Sequence, residues 1–92
     1  MATILHLPVV TPGELARRDA RLGGELGALA LLLMRSGAVS PPMLAEHGDT
    51  DSVTARSTLH RLAVSGLARA AVLDGLTWFA ITPEGDALVD GR

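Results

Sequence analysis

The chain has 92 residues, a length that predicts one domain with a modest hydrophobic core. Hydrophobic residues make up 48% of it and aromatic residues 2%, so the core must be built from Leu, Ala and Val. The absence of cysteine excludes disulfides and thiolate metal sites. The net charge of −2, in a chain with Arg but no Lys, counts against non-specific binding to nucleic acid.

The start of the chain predicts neither export nor membrane insertion. Residues 1–6 lack the basic segment that begins a signal peptide. The longest apolar run, Ala28–Met34, is far shorter than the about 20 residues needed to cross a bilayer. We therefore expect a soluble, cytoplasmic protein with no membrane partner. Residues 1–10, β-prone and broken by Pro8, are predicted to form an extended arm before a domain spanning residues 11–92.

Strong start signals precede the first helix. Thr11 can act as the N-cap, Pro12 takes the first helical position, and Glu14 completes a capping box. Leucines then recur at helical spacing. Glycines at positions 23, 24 and 27 each weaken a helix by about 1 kcal/mol relative to Ala. The segment is therefore predicted to be one long helix or two helices bent at the glycines.

The second half of this segment is apolar on every side. A surface helix has a polar face, so Ala28–Met34 is predicted to lie in the centre of the core or in an oligomer. We expect a homodimer interface formed by Leu26, Leu29, Leu31, Leu32 and Leu33. The first half indicates a solvated face, with a flanking DNA phosphate contact as the alternative, at Arg17, Arg18, Asp19 and Arg21.

Local signals divide the next residues into short elements. Gly37 is expected to end the first helical region, and residues 38–39 to form a very short strand. Ser40 caps a second helix over residues 41–47, which Gly48 ends. Asp51 is a good N-cap for a third helix that runs to about Ser65.

A β-hairpin follows the third helix. Segments 67–73 and 76–81 flank Asp74-Gly75, a preferred dipeptide for a two-residue type I′ turn. Thr82-Pro83-Glu84 then opens a last short helix that runs to about Val89. This order of elements predicts a mainly α fold with a small β-hairpin sheet, an α+β winged helix-turn-helix in which the hairpin is the wing.

The third helix separates into two faces when its residues are placed at 100° intervals. Ala55, Leu59, Leu62 and Ala63 form a stripe that would pack on the first two helices. The opposite face has small polar side chains, arginines and no acid after Asp51, which suits the major groove of DNA. We therefore predict a DNA-binding surface formed by Ser52, Val53, Thr54, Arg56, Ser57, His60, Arg61 and, on the wing, Arg69.

Two segments resemble bacterial regulators of the MarR, PadR and ArsR type. Residues 52–67 are similar to the recognition helix of these regulators and its arginine-leucine…glycine-leucine exit into the wing. Residues 81–88 resemble the leucine-threonine-x-x-glycine-x-x-leucine run after their wing. The resemblance covers residues 44–90 and implies a dimer that binds pseudo-palindromic duplex DNA, with the recognition helix in the major groove.

Several features leave other functions open. These families often carry a long C-terminal dimerisation helix, whereas this chain ends at Arg92, so dimerisation is expected through the N-terminal arm and the apolar helix. The acidic wing tip at Asp74 disfavours a minor-groove contact. The acidic balance motivates an alternative, a protein–protein interaction module acting as an adaptor or subunit. A DNA-binding accessory factor in recombination, partition or plasmid transfer is a further alternative.

No pattern in the sequence predicts catalysis, a metal or a cofactor. His6, His47 and His60 lack ligand spacing. Residues 23–27 are glycine-rich but lack the Lys and the preceding strand of a phosphate loop. No serine has the context of a nucleophile elbow. We expect a binding protein without enzyme activity, in which Trp78 is a core or sheet residue.

Overall fold

Short polar side chains start four of the helices in the computed structural model, which describes residues 10–91. Each cap accepts a hydrogen bond from a backbone N–H of the first turn that has no partner inside the helix. The elements are α1 (Pro12–Ala16), α2 (Glu25–Met34), α3 (Pro41–His47), α4 (Ser52–Val64), β1 (Ala68–Leu73), β2 (Leu76–Ile81) and α5 (Pro83–Asp90). The predicted elements from residue 40 onward are confirmed to within about one residue. Among the described residues, no helix combines the length and the apolarity needed to cross a membrane.

The predicted first helical segment is not continuous. After α1, Asp19 starts a 3₁₀ turn over Ala20–Leu22 by accepting a hydrogen bond from the Arg21 N–H at 2.8 Å. Gly23 and Gly24 follow with φ values of 70° and 115°, a backbone region that favours glycine. Of the two predicted alternatives, two helices is therefore right, and the 3₁₀ turn between them is an addition. The predicted arm, apart from Val10, lies outside the described residues.

Helix α2 lies at the centre of the core. One side of it is buried at Ala28, Ala30, Leu31 and Met34. Large side chains from the surrounding elements complete this core, namely Leu15, Leu22, Leu44, Leu59, Leu62, Leu67 and Phe79. Leu31 is 0% exposed. Its predicted place in a dimer interface is therefore wrong, because a side chain without accessible surface cannot contact a partner.

The turn between α3 and α4 depends on close packing against α2. Gly48 is the C-cap of α3, as predicted, but the left-handed residue that redirects the chain is Asp49, with φ 52°. Gly48 has φ −92°, which other residues adopt as well. A Cβ on Gly48 would overlap the Leu26 side chain and lie 3.1 Å from the Leu44 carbonyl oxygen. A side chain here would have to displace the end of Leu26, so glycine suits the close approach of α2 to this turn.

The hairpin forms at the predicted residues. β1 and β2 are antiparallel, with Ala68 opposite Ile81. Asp74 and Gly75 have φ values of 52° and 78°, the positive values that a type I′ turn requires at both central positions. The two-residue turn therefore connects the strands as the sequence predicts.

The short strand before α3 is a single bridge to the hairpin. Val39 and Phe79 exchange two backbone hydrogen bonds, at 2.9 Å and 2.8 Å. This bridge lies on the side of β2 that β1 leaves free. As a result β2 is central in the sheet, and β1 is its outer edge.

The exit of α4 is joined directly to the start of α5. The Thr82 hydroxyl donates a hydrogen bond to the Gly66 carbonyl at 2.7 Å and accepts one from the Gly85 N–H at 3.1 Å. The Thr82 N–H donates to the Leu67 carbonyl at 3.2 Å. A Cβ on Gly85 would overlap the same Leu67 carbonyl and lie 2.9 Å from the Ile81 side chain. The two motifs that carry the family resemblance therefore contact each other.

Three arginines tie α5 to the rest of the domain. Arg18 donates to two backbone carbonyls near the C-terminal end of α5, a favourable place for a cation. The predicted solvated face is confirmed in that Arg17, Arg18 and Arg21 are exposed, but two of the three have structural partners. The ties are Arg18 to Leu88 and Val89, Arg35 to Asp86 and Asp90, and Arg21 to Asp19 and Glu84.

A matched pair of glycine substitutions tests this packing. Gly85→Ala forces a methyl group against the Leu67 carbonyl, and overpacking of this kind costs about 1–3 kcal/mol of unfolding free energy. Gly13 lies in α1, and the methyl group of Gly13→Ala would be at an ordinary 3.5 Å from Glu25 Oε1. We therefore expect the unfolding free energy to rise by about 0.5 kcal/mol. Urea denaturation measures both. Equal effects of the two changes would contradict the close contact at Gly85.

Candidate nucleic-acid interface

The two faces of α4 are those that the helical periodicity predicts. Ala55, Leu59 and Leu62 are 0% exposed and face the core, and Ala63 is half-buried. Helix α4 contains no acidic residue. The predicted DNA-facing residues of α4 are all exposed, namely Ser52, Val53, Thr54, Arg56, Ser57, His60 and Arg61.

Asp51 directs its carboxylate into its own helix. Its Oδ1 accepts a hydrogen bond from the Thr54 N–H at 2.7 Å. This bond, together with one from the Thr54 side chain, lowers the pKa of Asp51 below its usual range. The carboxylate occupies the helix N-terminus, the position where a phosphate would otherwise be favoured. The expected attraction of phosphate to this terminus is reduced accordingly.

The two arginines of α4 lie on different flanks of the helix. Five residues separate Arg56 from Arg61, which corresponds to a rotation of about 140° around the helix axis. The Arg61 side chain runs back over Gly23, where a Cβ would overlap the guanidinium group and lie 3.0 Å from Cδ. Arg56 has no such neighbour described. The Arg61 side chain is therefore positioned by its contact with Gly23, whereas Arg56 extends from the opposite flank of the exposed face.

His60 contacts the wing. Its ring meets the ring of Phe79 edge to face, with 6.0 Å between the centroids and 69° between the planes. Aromatic pairs of this geometry are favourable. His60 stays exposed, but its ring position fixes α4 against β2, a role that the sequence analysis did not assign to it.

The wing presents an apolar outer face that the sequence analysis missed. Side chains at alternate positions share a face of a sheet, so the register places Arg69 with Ala71 and Leu73 on β1, opposite Ala80, Trp78 and Leu76 on β2. Leu73 is 63% exposed and Leu76 is 52% exposed. The signal was present in β2, where both alternating sets of residues are apolar except for Thr77. Arg69 is the single basic side chain on this face.

The described arginines divide into paired and unpaired ones. Arg18, Arg21 and Arg35 are held by carbonyls or carboxylates. Within residues 10–91, Arg56, Arg61 and Arg69 form no side-chain hydrogen bond and no ion pair. The three predicted basic contacts are thus unpaired, a property that they share with the exposed Arg17.

Four leucines of α2 form a second exposed feature. They lie on the side of the helix opposite its buried residues and are all half-buried. We call the set the leucine surface: Leu26, Leu29, Leu32 and Leu33. At one end it borders a cleft that is also lined by Pro12, Glu25, His47 and Gly48. Four of the five leucines in the predicted interface thus retain accessible surface.

Metal coordination has no support in the described part of the chain, where no group of three or more His, Cys, Asp or Glu side chains could hold an ion. His47 is exposed in the last turn of α3, where a positive charge would interact favourably with the negative end of the helix dipole. His60 is engaged with Phe79, and His6 lies outside the described residues.

Solved structures with the same arrangement decide the fold. A possible transcriptional regulator for arsenical resistance matches 90% of this chain and 80% of its own length, with a TM-score of 0.66 and 19% identity. An ArsR-family transcriptional regulator matches 99% and 87%, with a TM-score of 0.65 and 21% identity. The fold is a winged helix-turn-helix.

A third similar structure is a homodimeric winged helix-turn-helix DNA-binding domain from Mycobacterium bovis, a possible ArsR-family regulator. It covers 96% of this chain and 84% of its own length, with a TM-score of 0.65 and 20% identity. No protein-family model and no curated protein sequence matches the chain. In this winged helix-turn-helix, α3 and α4 form the helix-turn-helix unit, α4 occupies the position of the recognition helix in that fold, and β1 and β2 form the wing.

The cap of the recognition helix has a pH signature. The folded pKa of Asp51 lies below the unfolded value of about 3.9. The charge-dependent stabilisation is therefore complete above that value and disappears as the pH falls through the lower folded pKa. Asp51→Ala should lower the melting temperature at pH 7. The difference in melting temperature between this variant and the wild type should become smaller in acid, because Asp51 of the wild type is then protonated.

Asp51→Asn is the matched control for this prediction, because Asn caps a helix about as well without a charge that titrates. Its melting temperature at pH 7 should lie between those of Asp51→Ala and the wild type, because the cap is kept and the charge is lost. A difference between wild type and Asp51→Ala that is the same at pH 7 and pH 2.5 would show that the Asp51 charge does not contribute.

Proposed function

We propose that this chain is the sequence-specific duplex-DNA-binding domain of a small dimeric transcription regulator, and that it acts without catalysis. The observation that carries the proposal is the exposed, acid-free outer face of α4 with an unpaired arginine, Arg56, at its flank. The likeness of the fold to ArsR-family regulators supports it. Binding to the DNA of a bacterial cell would place the protein in the cytoplasm.

Each contact has a distinct role in the proposal. Arg56 reads a base edge, where a bidentate pair with guanine is the commonest specific contact. Thr54 and Ser57 donate to phosphate or to either base edge. Arg61 and Arg69, on the two sides of the recognition helix, bind the sugar-phosphate backbone and set the register of the domain on the duplex.

The low positive charge makes a dimer a requirement of the proposal. Each phosphate contact contributes about −0.9 to the slope of log K against log salt concentration. Strongly salt-dependent DNA-binding proteins make about 6–10 such contacts. One domain offers two arginines to phosphate, Arg61 and Arg69, so two domains together supply four such contacts, which is still below that range.

The leucine surface is the proposed dimer interface. It is apolar, half-exposed and distant in sequence from the recognition helix. The homodimeric state of the similar M. bovis domain supports a symmetric pair. A two-fold pair that binds successive major grooves holds its recognition helices about 34 Å apart, and the target would then be pseudo-palindromic.

Arginine substitutions test the DNA-binding proposal. Arg56→Ala should lower the affinity for the selected duplex by about 10-fold or more and relax specificity at one position per half-site, because such base contacts contribute about 1–3 kcal/mol. Arg61→Ala and Arg69→Ala should weaken binding to all sequences and reduce the salt slope by about 0.9 per lost contact. Fluorescence anisotropy at several salt concentrations, with a duplex selected from a random library, measures both effects.

Arg35→Ala is the matched control, because Arg35 pairs with α5 and lies outside the proposed interface. It should lower the melting temperature and leave the salt slope unchanged. If Arg56→Ala and Arg61→Ala both bind with wild-type affinity, the assignment of the site is wrong.

Charged substitutions in the leucine surface test the dimer. Leu29→Glu should convert the dimer to a folded monomer in sedimentation equilibrium, because a carboxylate would be buried without a partner. Leu32→Gln provides a milder change in case Leu29→Glu unfolds. Val64→Glu, on an 86% exposed residue of α4, should remain dimeric. A folded Leu29→Glu or Leu32→Gln variant that stays dimeric would move the interface elsewhere.

A protein partner is the second candidate function, and the apolar outer face of the wing favours it. Exposed leucines at residues 73 and 76, with Trp78 beside them, are typical of a surface that another protein covers. An adaptor of this kind would use the same fold without binding DNA. The anisotropy titration separates the candidates, because an adaptor would show no saturable binding to any selected duplex.

A further inference from the structure

Val53 is an exposed apolar side chain at the tip of the recognition helix. It occupies the first turn of α4 and is 76% exposed. Its position is about 160° around the helix axis from the buried Ala55, so it faces directly away from the core. A β-branched residue there gains almost nothing from packing within the protomer and has a lower helix propensity than Ala.

The neighbours of Val53 on the exposed side of α4 are two hydroxyl side chains and the charged Arg56, three residues further along the helix. Thr54 and Ser57 flank it on the exposed side of α4. Asp51 lies one turn away, but its carboxylate is bonded to the Thr54 N–H and does not point outward. An apolar side chain between hydroxyl groups therefore forms the leading edge of the helix that we place in the major groove.

The major groove offers one apolar group to such a side chain. Among the base edges exposed there, only thymine carries a methyl group, at C5. The other groups are hydrogen-bond donors and acceptors, which an isopropyl group would desolvate without satisfying.

We infer that Val53 packs against a thymine methyl group in each half-site, so that it selects T over C at one position. The inference rests on the proposed DNA-binding function, and it adds a specificity-determining residue to it. Thr54 and Ser57 then set the depth of α4 in the groove, and Arg56 reads a neighbouring base pair.

The test removes the methyl group without changing base pairing. A duplex is selected with the full-length wild-type protein, and each thymine of a half-site is replaced in turn by deoxyuridine. Burial of one methyl-sized group corresponds to about a 4-fold change in affinity, so a symmetric double replacement should weaken binding by about 15-fold at one position. Val53→Ser should bind the thymine and deoxyuridine duplexes equally well.

Val64 supplies a matched control on the same helix. Eleven residues separate it from Val53, which places the two valines about 20° apart around the helix axis and about 16 Å apart along it. Val64 is 86% exposed, and at that distance along the axis it lies away from the proposed base contact. Val64→Ser should keep the full preference for thymine over deoxyuridine. Circular dichroism confirms that both variants are folded.

The outcomes distinguish this inference from the proposed function. If no duplex binds, the DNA-binding function fails, and the inference fails with it. If duplex DNA binds but no thymine is sensitive to loss of its methyl group, the DNA-binding function stands and the role of Val53 is overturned. The same holds if the sensitivity survives in Val53→Ser. Loss of the preference in Val64→Ser would overturn it as well.

Discussion

The contact between Thr82 and the Gly66–Leu67 turn fixes the geometry on which the proposed function depends. The Thr82 hydroxyl donates to the Gly66 carbonyl while capping α5, and Gly85 lets the two backbones touch. The recognition helix, the wing and α5 therefore meet at one point. Because most of the side chains that the proposal places in the groove are short, such as Thr54 and Ser57, the proposed base contacts require α4 to be held at a fixed angle.

The arginines of the chain serve two physical purposes. Those near α5 bond to carbonyls or carboxylates, as Arg18 and Arg35 do, and they hold α5 against the rest of the domain. Such exposed ion pairs contribute little individually, but together they attach a helix of only eight residues. Those near the recognition helix keep their charge. The net charge of −2 therefore does not reveal the unpaired positive charge beside α4 on which the proposed function depends.

Local chemistry was predictable from the sequence, and contacts between distant residues were not. Caps such as Thr11 and the Asp74-Gly75 turn satisfy neighbouring backbone groups, so a few adjacent residues determine them. The faces of α4 follow from periodicity. By contrast, the burial of Leu31, the course of Arg61 over Gly23 and the apolar wing face depend on which elements pack together. An all-apolar helix such as α2 cannot show from its own sequence which side the rest of the chain covers.

The proposed dimer interface and the helix-turn-helix unit meet at Gly48. Leu26 and Leu29 belong to the leucine surface, and their methyl groups also reach the position that a Gly48 side chain would fill. Gly48 in turn begins the turn that sets α4 against α3. A partner that presses on these leucines therefore bears directly on the helix-turn-helix angle. Since two recognition helices must hold a fixed separation on a duplex, a surface that joins the protomers and also touches this turn suits that requirement better than a distant interface would.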